Sequence, residues 1–304
     1  MQENSVTYLS VYSARQNFPD APIIISTWNG HKQFISKNLY EIKNVKFIFS
    51  EDPGAAFCKP NSPLNVNRVI VSSKNGLEKV TTDYVLKCRS DIVFKNNNIS
   101  KLYYKYNSSI KNSKLKLVSE KVLFSNQTSL NPSRIPILYH LCDWLALGRT
   151  KDVIDIFNID LMPDEDFYWY LNNKKPEDNL TPGNLSRYMS EDYIIYKFCR
   201  KHIPECKHEN YYDTDEEKTK LWLGIIADNF IILPNKMMGL YSFKYHNVAD
   251  FQLWKSYSYY EWRKLVNISN PLHIEFFDSI KIKFYVLAYK IYLILFNIKK
   301  ISNL

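Results

Sequence analysis

The sequence predicts an α/β fold in which a mostly parallel, twisted sheet is flanked by helices. Short apolar runs, each ending in polar residues, cover residues 22–28, 45–50 and 84–88. They recur at intervals of roughly 25 to 40 residues with helix-compatible segments between them, which is the pattern of βαβ units. We therefore expect strands whose carboxyl ends meet along one edge of the sheet.

The later segments predict further elements of both kinds. Ser190 suits the N-cap of a helix, and the acidic residues Glu191 and Asp192 suit its first turn. Further strands are predicted over residues 115–124 and 139–148, and further helices over residues 31–39, 151–159 and 193–198.

Composition and charge indicate a packed globular protein with an anionic partner. Hydrophobic residues make up 45% of the chain and charged residues 23%, which is unlike a disordered protein. The formal charge of +9 favours phosphates or anionic lipid as partners. Because the sequence contains no run of five basic residues and no zinc-finger or RNA-binding signature, we expect no nucleic-acid partner.

Cysteine usage and the N-terminal segment predict a cytoplasmic protein. The five cysteines are odd in number and widely spaced, without a Cys-x-x-Cys motif, so we expect reduced thiols. Residues 1–20 lack the continuous apolar stretch of a secretory signal. The sequence also lacks a dinucleotide-binding glycine motif and a phosphate-binding P-loop, which argues against a dehydrogenase or a P-loop nucleotidase.

The triplet Arg89-Ser90-Asp91, directly after the third predicted strand, is the strongest candidate for a binding site. Ligands of open α/β sheets bind beyond the carboxyl ends of the strands. There, Arg89 suits a diphosphate and Asp91 suits the Mg²⁺ or Mn²⁺ ion that accompanies it. Enzymes that use nucleotide-sugars usually place an Asp-x-Asp triplet at this position, and here one carboxylate is replaced. An ordinary ion pair at a strand end is the alternative.

The ends of the first two predicted strands carry candidate contacts for a nucleoside. Thr27 and Trp28 follow the first strand and suit backbone and aromatic contact to a base. Asp52 follows the second strand, where an acid can accept from ribose hydroxyls. Arg68 suits a phosphate. Each residue alone also suits a cap or a surface charge, and their joint position at successive strand ends favours a site.

Two carboxylates are candidates for the general base that would take a proton from an acceptor hydroxyl. Glu191 lies at a predicted helix start, where it also suits a simple interaction with the helix dipole. Asp143 lies among apolar residues, and a buried carboxylate requires a partner. The sequence leaves both residues open as base or as structural groups.

The end of the chain predicts an amphipathic helix over residues 280–298. Lys283, Lys290 and Asn297 are spaced by seven and therefore share one helical face, whereas the remaining surface is apolar and aromatic. Lys290, in the middle of the segment, argues against a membrane-spanning helix and favours one that lies in the membrane interface. Packing on the domain core or in an oligomer is the alternative.

These motifs together resemble a known family. The residues that carry the resemblance are Ile25-Ser26-Thr27-Trp28, Asp52-Pro53-Gly54, Asn67-Arg68, the run from Lys79 to Asp91, His140 through Asp143-Trp144 to Gly148, and Ser190-Glu191-Asp192. Over residues 20–250 the chain resembles the WavE lipopolysaccharide-synthesis family, whose bacterial members are regarded as GT-A-like glycosyltransferases. The resemblance implies transfer from a nucleotide-sugar to a lipopolysaccharide-core, capsule or other lipid-linked acceptor.

The expected organisation is a GT-A-like glycosyltransferase domain over residues 1–277 and a membrane-associated tail over residues 278–304. Such a protein would act on the cytoplasmic face of the inner membrane. Two other functions stay open from the sequence: a non-catalytic glycan- or lipid-binding protein of envelope assembly, and a sugar-phosphate transferase.

Overall fold

The computed structural model describes residues 4–59, 62–107, 113–176, 183–243 and 255–269, together with Leu287 and Ile291. Apart from these last two residues, the predicted tail over residues 278–304 lies outside the described part of the chain.

The described residues form a mixed α/β arrangement of helices and short strands. In chain order these are α1 Asn4–Asn17, β1 Ile23–Trp28, a 3₁₀ helix Asn29–Phe34, α2 Lys37–Tyr40, β2 Val45–Ser50, α3 Val66–Leu77, β3 Tyr84–Cys88, β4 Ile92–Phe94, α4 Asn98–Tyr106, β5 Val122–Ser125, β6 Leu145–Arg149, α5 Thr150–Phe157, α6 Asp164–Phe167, a 3₁₀ helix Trp169–Leu171, α7 Ser190–His202, α8 Glu216–Asn229, β7 Phe230–Leu233, α9 Asn235–Met238, β8 Leu240–Ser242 and α10 Tyr259–Ser269.

The strands form three sheets rather than the mostly parallel sheet that the sequence predicts. β1 and β2 pair in parallel, and β4 pairs antiparallel with β8. The four-stranded sheet has the order β3-β6-β5-β7, in which β6 is antiparallel to both neighbours and β5 is parallel to β7. Residues 126–144, which join β5 to β6, contain no helix. Without a helical crossover the chain reverses direction, so the two strands meet antiparallel.

The core lies on both sides of the four-stranded sheet. β5 and β7 are buried along their whole length, in keeping with their uninterrupted apolar sequences. Trp222 of α8 is fully buried, and the indole N–H of Trp262 in α10 donates to the carbonyl of Phe230 at 3.0 Å. Helices α8 and α10 thus pack at β7, the edge strand on the side of the sheet opposite β3.

The interface between β3 and β6 positions the residues that follow β3. Tyr84 pairs with Arg149 and Cys88 with Leu145, and the backbone N–H of Arg89 then donates to the carbonyl of Trp144 at 3.0 Å. The backbone hydrogen bonding between the two strands therefore continues one residue beyond the Cys88–Leu145 pair. This step places the Arg-Ser-Asp triplet beside the segment that leads into β6.

Candidate functional site

Arg89 and Asp91 form a two-pronged ion pair at the carboxyl end of β3. The Arg89 Nε–H donates to Oδ1 of Asp91 at 3.0 Å, and Nη2 donates to Oδ2 at 2.9 Å. The side chain of Asp91 is 1% exposed, whereas that of Arg89 is 31% exposed. The carboxylate is therefore the inner member of the pair, and the guanidinium is the more accessible one.

Trp144 and Lys87 surround this pair. The Arg89 guanidinium carbon lies 5.3 Å from the centre of the Trp144 ring, a cation–π contact. The Lys87 ammonium donates to the backbone carbonyl of Asp143 and lies 4.6 Å from the centre of the Phe157 ring. Burial lowers the pKa of Lys87, since the charged form loses its water.

The two candidate bases lie in the same electrostatic environment. Burial and then the charge of Glu191 raise the pKa of Asp143 to about 6, while Lys87 and Arg89 act in the opposite direction. Burial also raises the pKa of Glu191. Both carboxylates thus hold a proton more tightly than an exposed acid does, and both interact with Arg89.

His140 faces Glu191 and was not predicted as a member of the site. Its Nδ1–H donates to the carbonyl of Thr128 at 2.7 Å, and Nε2 lies 4.0 Å from Oε2 of Glu191. Burial lowers the pKa of His140. Thr128 and Tyr139 both have positive φ, at 64° and 57°, so strained backbone lies on both sides of this contact. One feature of the sequence could have indicated that His140 belongs to the site: it lies three residues before Asp143.

We call these six residues the β3-end group: Lys87, Arg89, Asp91, His140, Asp143 and Glu191. Glu191 belongs to the group through its contact with His140 and the effect of its charge on Asp143. The first turn of α7, which carries Glu191, is fixed by its neighbour Asp192, which is fully buried. Oδ1 of Asp192 accepts from the backbone N–H of Met189 at 2.6 Å, and Oδ2 lies 3.2 Å from Nε2 of His208. Asp192 therefore has a structural role, whereas Glu191 points toward the β3 end.

A second group of candidates lies at the ends of β1 and β2. The Arg68 Nε–H donates to Oδ1 of Asp52 at 2.7 Å and Nη2 donates to Oδ2 at 2.5 Å, and the backbone N–H of Gly54 also donates to Oδ1. The hydrogen bonds from Arg68 are the main reason that the pKa of Asp52 is lowered. The Thr27 hydroxyl lies 3.2 Å from Nδ1 of His31, and the charges of Asp52 and Arg68 act on the same histidine. We call Thr27, His31, Asp52 and Arg68 the β2-end group.

Trp28 is the last residue of β1, opposite Ser50 of β2. A shallow, open depression of ≈ 390 Å³ lies next to it. The residues that line this depression are Asn29, Gly30, Lys32 and Gln33.

Comparison with known proteins identifies the family. The family model described as WavE lipopolysaccharide synthesis matches residues 1–291. The chain belongs to the WavE family. The protein is therefore one of lipopolysaccharide synthesis, as the resemblance in its motifs predicted. No curated protein and no solved structure matches the chain.

The structure places the predicted site residues of this WavE protein, apart from Trp28, in the two groups defined above. Arg89, Asp91, Asp143 and Glu191 lie in the β3-end group, and Thr27, Asp52 and Arg68 lie in the β2-end group. Sequence reasoning missed His31, His140 and Lys87. The roles of His140 and Lys87 depend on contacts with Thr128 and Asp143, which are distant along the chain, whereas His31 contacts Thr27, four residues away.

Asp91 is the residue that the sequence offers as a ligand to Mg²⁺ or Mn²⁺. Both oxygens of Asp91 accept from Arg89. In the described part of the chain no three His, Cys, Asp or Glu side chains come together as a ligand set. A metal-binding role for Asp91 stays a prediction.

Membrane association was predicted for the tail. Among the helices that the structure describes, none combines the length and the apolar character that crossing a bilayer requires.

Proposed function

We propose that this protein is a GT-A-like glycosyltransferase that moves a sugar from a nucleotide-sugar to a lipopolysaccharide-core, capsule or other lipid-linked glycan acceptor. The observation that supports it most is the contact of Arg89 with Trp144, the neighbour of Asp143, together with the influence of the Arg89 charge on both Asp143 and Glu191. A fixed cation suits the diphosphate of the donor, and a neighbouring carboxylate suits the proton of the acceptor. Membership of a lipopolysaccharide-synthesis family supports the choice of acceptor.

In the proposed reaction, the acceptor oxygen attacks the anomeric carbon of the donor sugar. The bond from that carbon to the diphosphate oxygen breaks, and its electron pair leaves with the diphosphate. Arg89 stabilises the negative charge that develops there, because the guanidinium is already in place before reaction. The acceptor proton passes to Asp143, our first choice as base, since a pKa of about 6 suits a base that works near neutral pH. Glu191 is the second choice.

The β2-end group is proposed to bind the nucleoside part of the donor. Arg68 has the donor geometry that a phosphate requires, and Asp52 has acceptor oxygens for ribose hydroxyls. Trp28 and the depression beside it supply an aromatic surface and room for a base. Thr27, held by His31, closes this side of the site.

The proposed place of action is the cytoplasmic face of the inner membrane, where lipid-linked acceptors meet nucleotide-sugars. The formal charge of +9 supports binding to an anionic lipid surface.

The test is donor turnover by the wild-type protein and by Asp91→Ala. Slow release of nucleotide from at least one member of a nucleotide-sugar panel is expected for the wild type. Asp91→Ala is expected to lose this activity while it keeps its thermal unfolding transition, because the alanine removes the group that holds Arg89.

The matched control is Asp155→Ala. Asp155 also lies in an ion pair, with Lys201 and His202, but it belongs to neither group, so turnover is expected to be unchanged. Wild-type rates in Asp91→Ala would refute its role. A wild-type protein that binds glycan or lipid but releases nucleotide from no donor would instead support the non-catalytic envelope-assembly function.

A further inference from the structure

We propose that the donor diphosphate is bound by Arg89 without a metal ion, and that Asp91 is a positioning residue that holds Arg89 rather than a metal ligand. This inference rests on the proposed function, because it concerns how the same nucleotide-sugar site binds its ligand. It departs from the Mg²⁺ or Mn²⁺ role that the sequence suggests for Asp91.

The first argument is the geometry of the ion pair. Two nearly equal hydrogen bonds, at 3.0 and 2.9 Å, join the Nε and Nη2 edge of Arg89 to the two oxygens of Asp91. A metal ion bound to either oxygen would have to share it with an Arg89 N–H or displace that donor, and in both cases it would lie close to the positive guanidinium in a place that solvent hardly reaches.

The second argument is the direction in which the pair faces. Asp91 is 1% exposed and Arg89 is 31% exposed, so the carboxylate lies behind the guanidinium. In a metal-dependent site the carboxylate must reach the ion that lies between it and the phosphates. Here the group that an incoming diphosphate meets first is a cation.

The third argument is that Arg89 is held in place before ligand binds. Asp91 holds one edge of the guanidinium, Trp144 lies 5.3 Å from its central carbon, and the backbone N–H of Arg89 donates to the Trp144 carbonyl. A planar, fixed guanidinium suits the oxygens of a diphosphate and loses little conformational entropy on binding. Lys87, two residues earlier on the same face of β3, is close enough for its charge and that of Arg89 to act on each other.

The experiment is calorimetric titration of UDP, GDP, CDP and ADP into the full-length protein, in EDTA and again in Mn²⁺. We expect at least one nucleotide to bind, with the same Kd in both buffers to within about twofold. Arg89→Lys is expected to weaken binding about tenfold or more in both buffers, because lysine cannot form the two-pronged contact. Asp91→Asn keeps the size of the side chain but not its charge, and it is expected to weaken binding in both buffers alike.

The matched control is Arg149→Lys, at the opposite end of the same strand pair. Arg149 is also held by a carboxylate and an aromatic ring, with Nε 2.6 Å from Oε1 of Glu120 and the guanidinium 4.6 Å from the centre of the Tyr84 ring. It lies roughly 16 Å from Arg89, given the rise of a strand. This variant is expected to bind nucleotide as the wild type does, and a thermal unfolding measurement on each variant checks that it is folded.

The possible outcomes separate the two proposals. Binding that requires Mn²⁺ in the wild type, and loss of that requirement in Asp91→Asn, would overturn the metal-free site and leave glycosyl transfer standing. Absence of nucleotide binding in both buffers would count against the proposed function itself and against this inference with it.

Discussion

At the scale of single residues, the coupling between Asp143 and Glu191 makes a prediction about pH. Burial and the charge of Glu191 raise the pKa of Asp143 to about 6, so Asp143 is protonated below that pH and unable to accept a proton. Donor turnover, measured as kcat/KM, is therefore expected to fall as the pH drops through about 6. Glu191→Gln removes the nearby charge, lowers the pKa of Asp143 and moves this fall to lower pH.

The same measurement separates the two candidate bases. Asp143→Asn is expected to lower kcat by about 10² to 10⁴ above pH 6, the usual contribution of a general base, and by less at lower pH, where Asp143 of the wild type is protonated. If Glu191→Gln is inactive and Asp143→Asn is active, Glu191 is the general base and Asp143 is not. Because interacting carboxylates titrate as a pair, the pH profile is compared between variants and not assigned to one residue from the wild type alone.

Residues near each other in sequence were easier to predict than those brought together by the fold. Arg89 and Asp91 are two positions apart, and their proximity needs only a strand end. Their orientation was not predictable, because the sequence does not show that Asp91 lies behind Arg89. The role of His140 depends on the carbonyl of Thr128, twelve positions earlier, and on a helix that begins fifty residues later.

At the scale of elements, the first turn of α7 makes a prediction about stability. Asp192 and His208 are both buried and lie 3.2 Å apart, and Asp192 also accepts from the N–H of Met189. Asp192→Ala removes the cap and leaves His208 without this partner. We expect a loss of about 3 kcal/mol or more in the free energy of unfolding, measured by urea denaturation.

The control for this prediction is Asp215→Ala at the start of α8. Asp215 also caps its helix, since its side chain accepts from the backbone N–H of Lys218 at 2.7 Å, but it is exposed. Loss of an exposed cap is expected to lower stability by clearly less than loss of the buried one. Equal losses in the two variants would show that burial of the Asp192–His208 pair adds nothing to the cap.

Strands whose bounds depend on nearby sequence were predicted well, whereas strands whose bounds depend on residues distant along the chain were not. β1, β2 and β3 begin and end within one residue of their predicted bounds. The predicted strand over residues 115–124 forms only at its end, because the buried side chain of Asn229 accepts from the backbone N–H groups of Leu117 and Val118. Because these N–H groups already have a hydrogen-bond acceptor in α8, they need no pairing with a neighbouring strand.

The predicted strand over residues 139–148 is likewise shorter, since β6 begins only at Leu145. Tyr139 has positive φ, which a strand does not allow, and the turn there carries His140 toward Glu191. The part that was wrongly predicted as strand is thus the part that contributes to the β3-end group. Patterns of apolar residues cannot show this, because the segment is as buried as a strand would be.

At the scale of the whole molecule, the antiparallel position of β6 brings the site together. A strand that entered parallel to β3 would begin beside Tyr84, at the opposite end from the triplet. Because β6 runs the other way, its first residue pairs with Cys88 and the residues before it lie beside Arg89. The sheet direction that the sequence failed to predict therefore places Asp143 and Trp144 next to the triplet that it did predict.

The tail over residues 278–304 carries the last prediction, which concerns membrane binding. Leu287 and Ile291 are helical, four residues apart and 56% and 49% exposed, so both lie on one accessible face. Insertion of such a face into a lipid interface removes apolar area from water. Deletion of residues 278–304 is expected to move the protein from sedimented anionic vesicles to the supernatant, and the double variant L287S/I291S to weaken partitioning about tenfold or more.

The matched control is the double variant L161S/L171S, because those two leucines are exposed to a similar degree but lie outside the tail. It is expected to bind vesicles as the wild type does, since the tail and not exposed leucine in general is proposed to enter the interface. Unchanged sedimentation after deletion of the tail would rule out the interfacial helix and favour its packing on the domain or on another copy of the chain. Nucleotide binding by the truncated protein then separates the two roles, because both groups proposed to bind the donor lie within residues 1–277.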